Sequence, residues 1–407
     1  MGERVVIVGA GQAAVQAIDT LRKRGFTGAI VLVGEEAEWP YQRPPLSKKY
    51  LAGALEHDRL LIRPGHFYSD HGIESHLSRR AVRIDRATRT VELDDGSLHP
   101  YDKLLLATGS EPRALTVAGA DLGGVYTLRT IADVAKIRSE FAPERRLVIV
   151  GGGYIGLEVA ATARELGLEV TVLEMADRVM NRVTCPEISS FYEAEHAKHG
   201  VQIVCNARVR ALEERDSSGR VRAVACEDGT EYGADVVVVG VGVVARDDLA
   251  RAAGLECSNG IVVDEQCCTS DPNIYAAGDC TNHPSPHFGR RLRLESVDHA
   301  FEQATAAALN MLGIPTRHDK VPWFWSDQYD LKMIIVGICH GHDTVVIRGS
   351  PAARSFSACY LRGGELVAVD TVNHPKDQMA ARKLIAAHAR PDPAKLAQPG
   401  IALKDCL

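Results

Sequence analysis

Short runs of branched apolar residues, each closed by a glycine, recur along this chain. Val5 to Val8 form the first, an uninterrupted apolar run of the kind that makes a strand buried on both faces. Gly9-x-Gly11-x-x-Ala14 follows, then a helix with Val15, Ile18 and Leu21 on one face that ends near Gly25, then a second strand in "AIVLVGE". The same pattern returns at Leu147 to Val150, with Gly151-x-Gly153-x-x-Gly156, a helix through Ala160 to Leu166, and "EVTVLE" as its second strand. Two further apolar runs, "YDKLLLATGS" with Thr108 and Gly109 and "GADVVVVGVGVVAR", also read as strands ending in glycine turns. "TSDPNIYAAGDC" places Gly278 and Asp279 directly after a strand, and "VDHAFEQATAAALNML" is helical from Val297. Beyond it, "PWFWSDQ" opens an antiparallel sheet that a helix, "MAARKLIAAHA", follows.

Strand, glycine turn, helix, strand and terminal acid together make a dinucleotide-binding unit. The first glycine permits the tight turn, and the second lets a pyrophosphate approach the backbone. The third position (Ala14 or Gly156) must be small so that helix packs on strand. The helix N-terminus then offers unpaired N–H groups to the phosphates. Glu35 and Glu174 stand where a carboxylate accepts ribose hydroxyls. Glu174 would repel a 2′-phosphate and so favours NADH, while Arg178, four residues on, is the residue that would favour NADPH. A chain with two such units most simply passes hydride between two dinucleotides, a nicotinamide and a flavin. Asp279, placed to accept the ribityl hydroxyls, assigns FAD to the first unit and NADH to the second.

At 407 residues the chain is long enough for two or three domains, and 45% hydrophobic with 25% charged residues is an ordinary globular balance. No apolar run is long enough to span a membrane. The first strand begins too near the start for a targeting peptide, which predicts a cytoplasmic protein. A net charge of −6 argues against general nucleic-acid binding. The ten cysteines contain no CxxC pair, and none precedes Cys185. Disulfide and peroxide reductases of similar pattern need a cysteine near the flavin, so the sequence argues against those chemistries.

The order GxGxxA, ATG, GxGxxG, GD resembles that of the two-dinucleotide flavoprotein reductases. "YQRPPLSKKYLAG", "GGGYIGLEVAATA", "NIYAAGDC", "RLESVDHAFEQA", "VPWFWSDQY" and the C-terminal "VAVDTVNHP" narrow the likeness. Together they resemble the FAD-dependent, NADH-utilising reductases of [2Fe–2S] ferredoxins in bacterial cytochrome P450 and Rieske-type oxygenase systems. The resemblance covers essentially the whole chain. It implies an α/β fold of glutathione-reductase-like architecture: two Rossmann-like domains, for FAD (1–112 and 237–319) and NAD (113–236), and a C-terminal α+β domain (320–407). It implies FAD contacts at Gly9, Gly11, Ala13, Ala14, Glu35, Lys48, Val82, Thr108, Gly109, Arg129, Gly278, Asp279 and Val297, with Arg43, Pro44 and Pro45 in the same flavin-facing loop. Gly151, Gly153, Tyr154, Ile155, Gly156 and Glu174 would hold NADH.

Hydride transfer needs stacked rings rather than an acid–base pair, so catalysis is mostly positioning. The resemblance also makes Lys48 and Glu158 an ion pair beside the flavin N5, where a buried cation favours the reduced, anionic ring. The Val297 backbone N–H would meet the flavin C2 carbonyl. Trp325 is the aromatic expected near the flavin on the ferredoxin side, and Arg63, Arg290, Arg291 and Arg293 the expected basic patch for an acidic ferredoxin. Two departures from the family pattern are Ala14, where glycine is common, and Ala245–Arg246, where proline and asparagine are common. Rubredoxin reductases and flavoprotein sensors resembling apoptosis-inducing factor are the alternative readings.

Overall fold

The computed structural model describes residues 3–407, which fall into two compact units. The first runs to Gln42 and resumes over His57–Glu111 and Val244–Pro322; the second comprises Arg43–Glu56, Pro112–Val243 and Trp323–Leu407.

The first unit is built on a parallel sheet in the order Ile274–Ala276, Lys103–Leu106, Arg4–Val8, Ala29–Val33, Ile73–His76. Its strands are apolar on both faces because both are covered. Val5 and Ile7 point to a core shared with Ile18, Leu21 and Ala304, while Val6 and Val8 point to one shared with Leu104, Leu106 and Ile261. The Gln12–Lys23 and Val297–Met311 helices meet in that first core, and Gln16 Nε2 donates to Thr305 Oγ1 at 2.9 Å between them.

The second unit repeats the arrangement: Gln202–Val204, Glu169–Leu173, Arg146–Val150, Val236–Val239, Val125–Thr127, all parallel. Its turn leads into a helix over Tyr154–Glu165, which begins six residues before the Ala160 start read from the sequence. The β-branched and glycine residues of "YIGLEV" are weak helix formers; the turn at Gly153, not propensity, fixes where the helix starts. The same unit holds an antiparallel sheet ordered Trp323–Gln328, Leu331–Gly337, Glu365–Val372, Ser355–Arg362, Thr344–Ser350, with the Lys376–Ala386 helix following. Here the expected sheet-then-helix reading of the C-terminal region matches what is seen.

In each parallel sheet the glycine-bearing strand has its sequence-adjacent partner on one side and a later strand on the other. The strand order therefore reverses at the carboxyl end of Arg4–Val8 and again at that of Arg146–Val150. Such switch points open a crevice, and each is occupied by one of the two glycine turns.

Candidate active site

Gly9 and Gly151 have φ of +108° and +113°, a backbone region that other L-residues enter only with strain. A Cβ at Gly11 or Gly153 would meet nothing within 4 Å, so the chain leaves an open cradle at both second glycines. The helices that start at Gln12 and Tyr154 are N-capped by these glycines, with no side-chain cap and no acid in the first turn. Their first-turn N–H groups carry the positive end of the helix dipole, an environment that suits an anion. The structure thus fits two pyrophosphates, one in each unit. Ala13 and Ala14 are buried under the first turn, and Gly156 packs against Gly151 under the second.

Around the first turn, Thr108 Oγ1 donates to the Arg246 carbonyl at 2.6 Å, Gly109 has a φ of +70°, and Gly278 N–H donates to Gln303 Oε1 at 2.8 Å. Ser110 Oγ donates to Asp279 Oδ2 at 2.8 Å and so orients the acid expected at the ribityl chain. Val297 is the first residue of its helix, behind a Ser296 N-cap that accepts from His299 N–H. Val82 is exposed on the Ala81–Asp85 strand. Glu35 does not stand alone: Arg246 Nη2 lies 2.6 Å from its Oε2, so the unusual Ala245–Arg246 pair supplies a cation to this acid.

Glu174 is held by the turn it serves. Its Oε2 accepts Gly152 N–H at 2.7 Å and its Oε1 accepts Ala176 N–H at 2.8 Å. Arg178 donates to Ser189 Oγ on the Pro186–Lys198 helix and to the Asn181 carbonyl within its own loop. Of the two residues that could set coenzyme preference, the acid is the one at the strand end. Ile155 is exposed beside this turn, and the Tyr154 ring packs edge-on against Phe324 with centroids 5.0 Å apart.

Lys48 and Glu158, 110 residues apart, meet with Nζ 2.7 Å from Oε2. The Pro44–Ser47 turn delivers the lysine, whose Nζ also donates to the Pro44 carbonyl at 3.0 Å. In the same loop, Arg43 Nη1 donates to the Arg129 carbonyl at 2.7 Å. Glu158 is only 2% exposed. Burial pushes its carboxyl above the usual range, and Lys48, Ser47 and Ser326 pull it back. Ser47 Oγ donates to Oε2 at 2.5 Å and Ser326 Oγ to Oε1 at 2.7 Å. Sequence reasoning missed both serines. Ser326 lies in the "WFWSDQ" stretch singled out for its tryptophans, and strand alternation would have placed it on the face opposite Trp325. Trp325 is half-buried, its ring 5.8 Å from that of Trp323.

The expected basic patch is unevenly charged. Arg63 pairs with Asp19 at 2.5 Å and Arg293 with Glu295 at 2.6 Å. Arg291 is exposed and bonds to backbone carbonyls and Asn282, and Arg290 is exposed at the start of its strand. All ten cysteines are free thiols, and burial raises every one for which a shift is resolved. No helix among the described residues is long and apolar enough to cross a membrane.

Comparison with known proteins matches residues 3–304 to the pyridine nucleotide-disulphide oxidoreductase family and residues 323–407 to the reductase C-terminal family. The chain is 44% identical to the 5,5'-dehydrodivanillate O-demethylase ferredoxin reductase subunit of Sphingobium sp., over 98% of this chain and 97% of that one. It is also 44% identical to rhodocoxin reductase of Rhodococcus erythropolis, over 98% and 93% of the two chains. Among solved structures, the reductase in the covalent putidaredoxin reductase–putidaredoxin complex superposes with a TM-score of 0.96 at 42% identity, covering 99% of this chain and 98% of that one.

Proposed function

The chain belongs to the pyridine nucleotide-disulphide oxidoreductases that carry a reductase C-terminal domain, and on that premise we propose that it moves electrons from NADH, through FAD, to a [2Fe–2S] ferredoxin serving a cytochrome P450 or Rieske-type oxygenase. The observation that carries this reading is two open glycine cradles, one at the switch point of each parallel sheet, in a chain that also holds a Lys48–Glu158 ion pair with a buried carboxylate and whose cysteines are all free thiols.

Bound FAD supplies what the protein's side chains lack, acceptance of a hydride and release of single electrons. The protein's part is to bind and to orient. Gly9, Gly11 and the Gln12–Lys23 helix would hold the FAD pyrophosphate, with Asp279 accepting the ribityl hydroxyls. Gly151, Gly153 and the Tyr154–Glu165 helix would hold that of NADH, with Glu174 on the ribose. Lys48, held by Glu158, would be the cation that favours a reduced, anionic flavin. All ten cysteines are free thiols, so an external acceptor would take the electrons, with Trp325 the residue proposed for that side.

Replacing Glu174 by serine removes the carboxylate that repels a 2′-phosphate. The ratio of kcat/KM for NADH over NADPH should then fall roughly ten-fold or more, a change of about 1.4 kcal/mol. If the unaltered protein already prefers NADPH, the assignment of the second turn is wrong.

The acceptor is tested with a panel of purified ferredoxins and NADH. Arg290 and Arg291 carry the charge that steers an acidic partner, since Arg63 and Arg293 are offset by their acids. Arg290→Glu should slow ferredoxin reduction several-fold at low ionic strength and little at high salt, where the screening length falls to a few ångströms. Ferricyanide reduction should stay intact. Equal loss of both activities would place Arg290 in support of the fold.

A further inference from the structure

Glu158 anchors a directional hydrogen-bond chain whose polarity follows from chemistry at one end. A carboxylate only accepts, so Ser326 Oγ must donate to its Oε1 at 2.7 Å. The serine lone pair then accepts Gln328 Nε2 at 3.2 Å, which turns Gln328 Oε1 toward His196 Nε2 at 2.8 Å. That contact requires the Nε2–H tautomer and leaves Nδ1 to accept the Tyr329 hydroxyl at 3.1 Å. The ring is neutral at neutral pH, because burial drives the His196 pKa down to about 4. Every donor in the series points toward the carboxylate, so each bond polarises the next in the same sense.

We propose that Ser326, backed by Gln328 and His196, is a positioning residue that keeps Glu158 ionised and aimed at Lys48. The proposal rests on the reading above that this pair serves the hydride step. One strand does two tasks through its alternation. Trp323, Trp325 and Asp327 share one face of Trp323–Gln328, while Phe324, Ser326 and Gln328 share the other. The face opposite the tryptophans therefore tunes the carboxylate. Ser326 and Gln328 are fully buried, so no water replaces a lost hydroxyl without reorganisation. The titratable groups facing Glu158 or its chain include Lys48 beside the Pro44–Ser47 turn, Tyr192, Glu195 and His196 on the Pro186–Lys198 helix, His199 at that helix's end, and Tyr329, on whose ring His199 stacks.

The test uses the full-length, FAD-loaded protein and Ser326→Ala. Difference infrared spectroscopy follows the protonated-carboxyl stretch of Glu158 against pH, assigned by its disappearance in Glu158→Gln. Loss of a hydrogen bond to a buried charge should raise the midpoint by about one pH unit or more. Stopped-flow hydride transfer at saturating NADH should slow about ten-fold at neutral pH and recover as pH rises through the raised midpoint. NADH affinity should change less than about two-fold, and Ser326→Thr should restore midpoint and rate. Gln328→Met should shift the midpoint the same way by a smaller amount, and it stands in if Ser326→Ala does not fold. A midpoint that stays put in both variants overturns the proposal, even if thermal stability falls. If Glu158→Gln transfers hydride at the normal rate, the placement of the ion pair at the reaction fails instead. The infrared midpoint would still report whether Ser326 holds the carboxylate.

Discussion

Gly156→Val should raise the KM for NADH at least about 100-fold while the protein keeps its FAD, a loss of about 2.7 kcal/mol of binding. The reason is local and steric. A Cβ at residue 156 would lie 2.1 Å from the Gly151 carbonyl oxygen. That oxygen belongs to the turn itself and cannot rotate away as a side-chain tip would. The Tyr154–Glu165 helix must therefore shift off the Arg146–Val150 strand, taking its first-turn N–H groups out of line with the pyrophosphate. Overpacking of this kind costs about 1–3 kcal/mol before any ligand contact is lost. The first turn belongs to the other unit and is untouched, so flavin absorbance per mole of protein should match the unaltered chain. Reduction by dithionite, which needs no NADH, should remain normal. A variant that loses flavin but keeps NADH affinity would show that the two turns have been assigned to the wrong dinucleotides.

The two glycine units were legible because their signals are local. Five-residue apolar strands, glycines at fixed offsets and a terminal acid all lie within about thirty residues, and the physics that needs them acts within that span. The second helix was placed late for the same reason: its start depends on a turn rather than on the periodicity of its own residues. The Lys48–Glu158 pair came only from family resemblance, since nothing in "SKKYLAG" or "GLEVAATA" points across 110 residues. Ser326, 168 positions from Glu158, had no such help and was read past, although it stood beside the chosen Trp325. Charge was the least legible property. Arg63 is cationic in any sequence count, yet Asp19, buried on the Gln12–Lys23 helix, reaches it at 2.5 Å. Arg246 shows the converse. As a departure from the family pattern it predicted a changed loop, and its position beside Glu35 shows the change to be electrostatic.

A second large effect is expected in stability rather than turnover, at Asp370. This residue is fully buried in the C-terminal sheet, where its Oδ2 accepts the Tyr360 hydroxyl at 2.5 Å and Thr184 Oγ1 at 2.8 Å. Its Oδ1 has no partner, so burial dominates and raises the carboxyl pKa to about 7. In the unfolded chain an aspartate titrates near about 3.9. Between these values the native state keeps a proton that the unfolded state releases, so stability falls as pH rises through that window. The penalty is complete above about pH 7, and its full size is a few kcal/mol. Asparagine cannot ionise and still offers an oxygen to Tyr360 and Thr184. Asp370→Asn should therefore unfold at a higher temperature than the unaltered protein at pH 8 and lose that advantage near pH 4.5. At the acid end the new amide, with no acceptor at the Oδ1 position, costs about 1–3 kcal/mol and can reverse the order. The diagnostic quantity is the slope of Tm against pH between those limits, which should flatten in the variant. Parallel slopes would mean that Asp370 is ionised throughout, held by Tyr360 and Thr184 strongly enough to outweigh its burial.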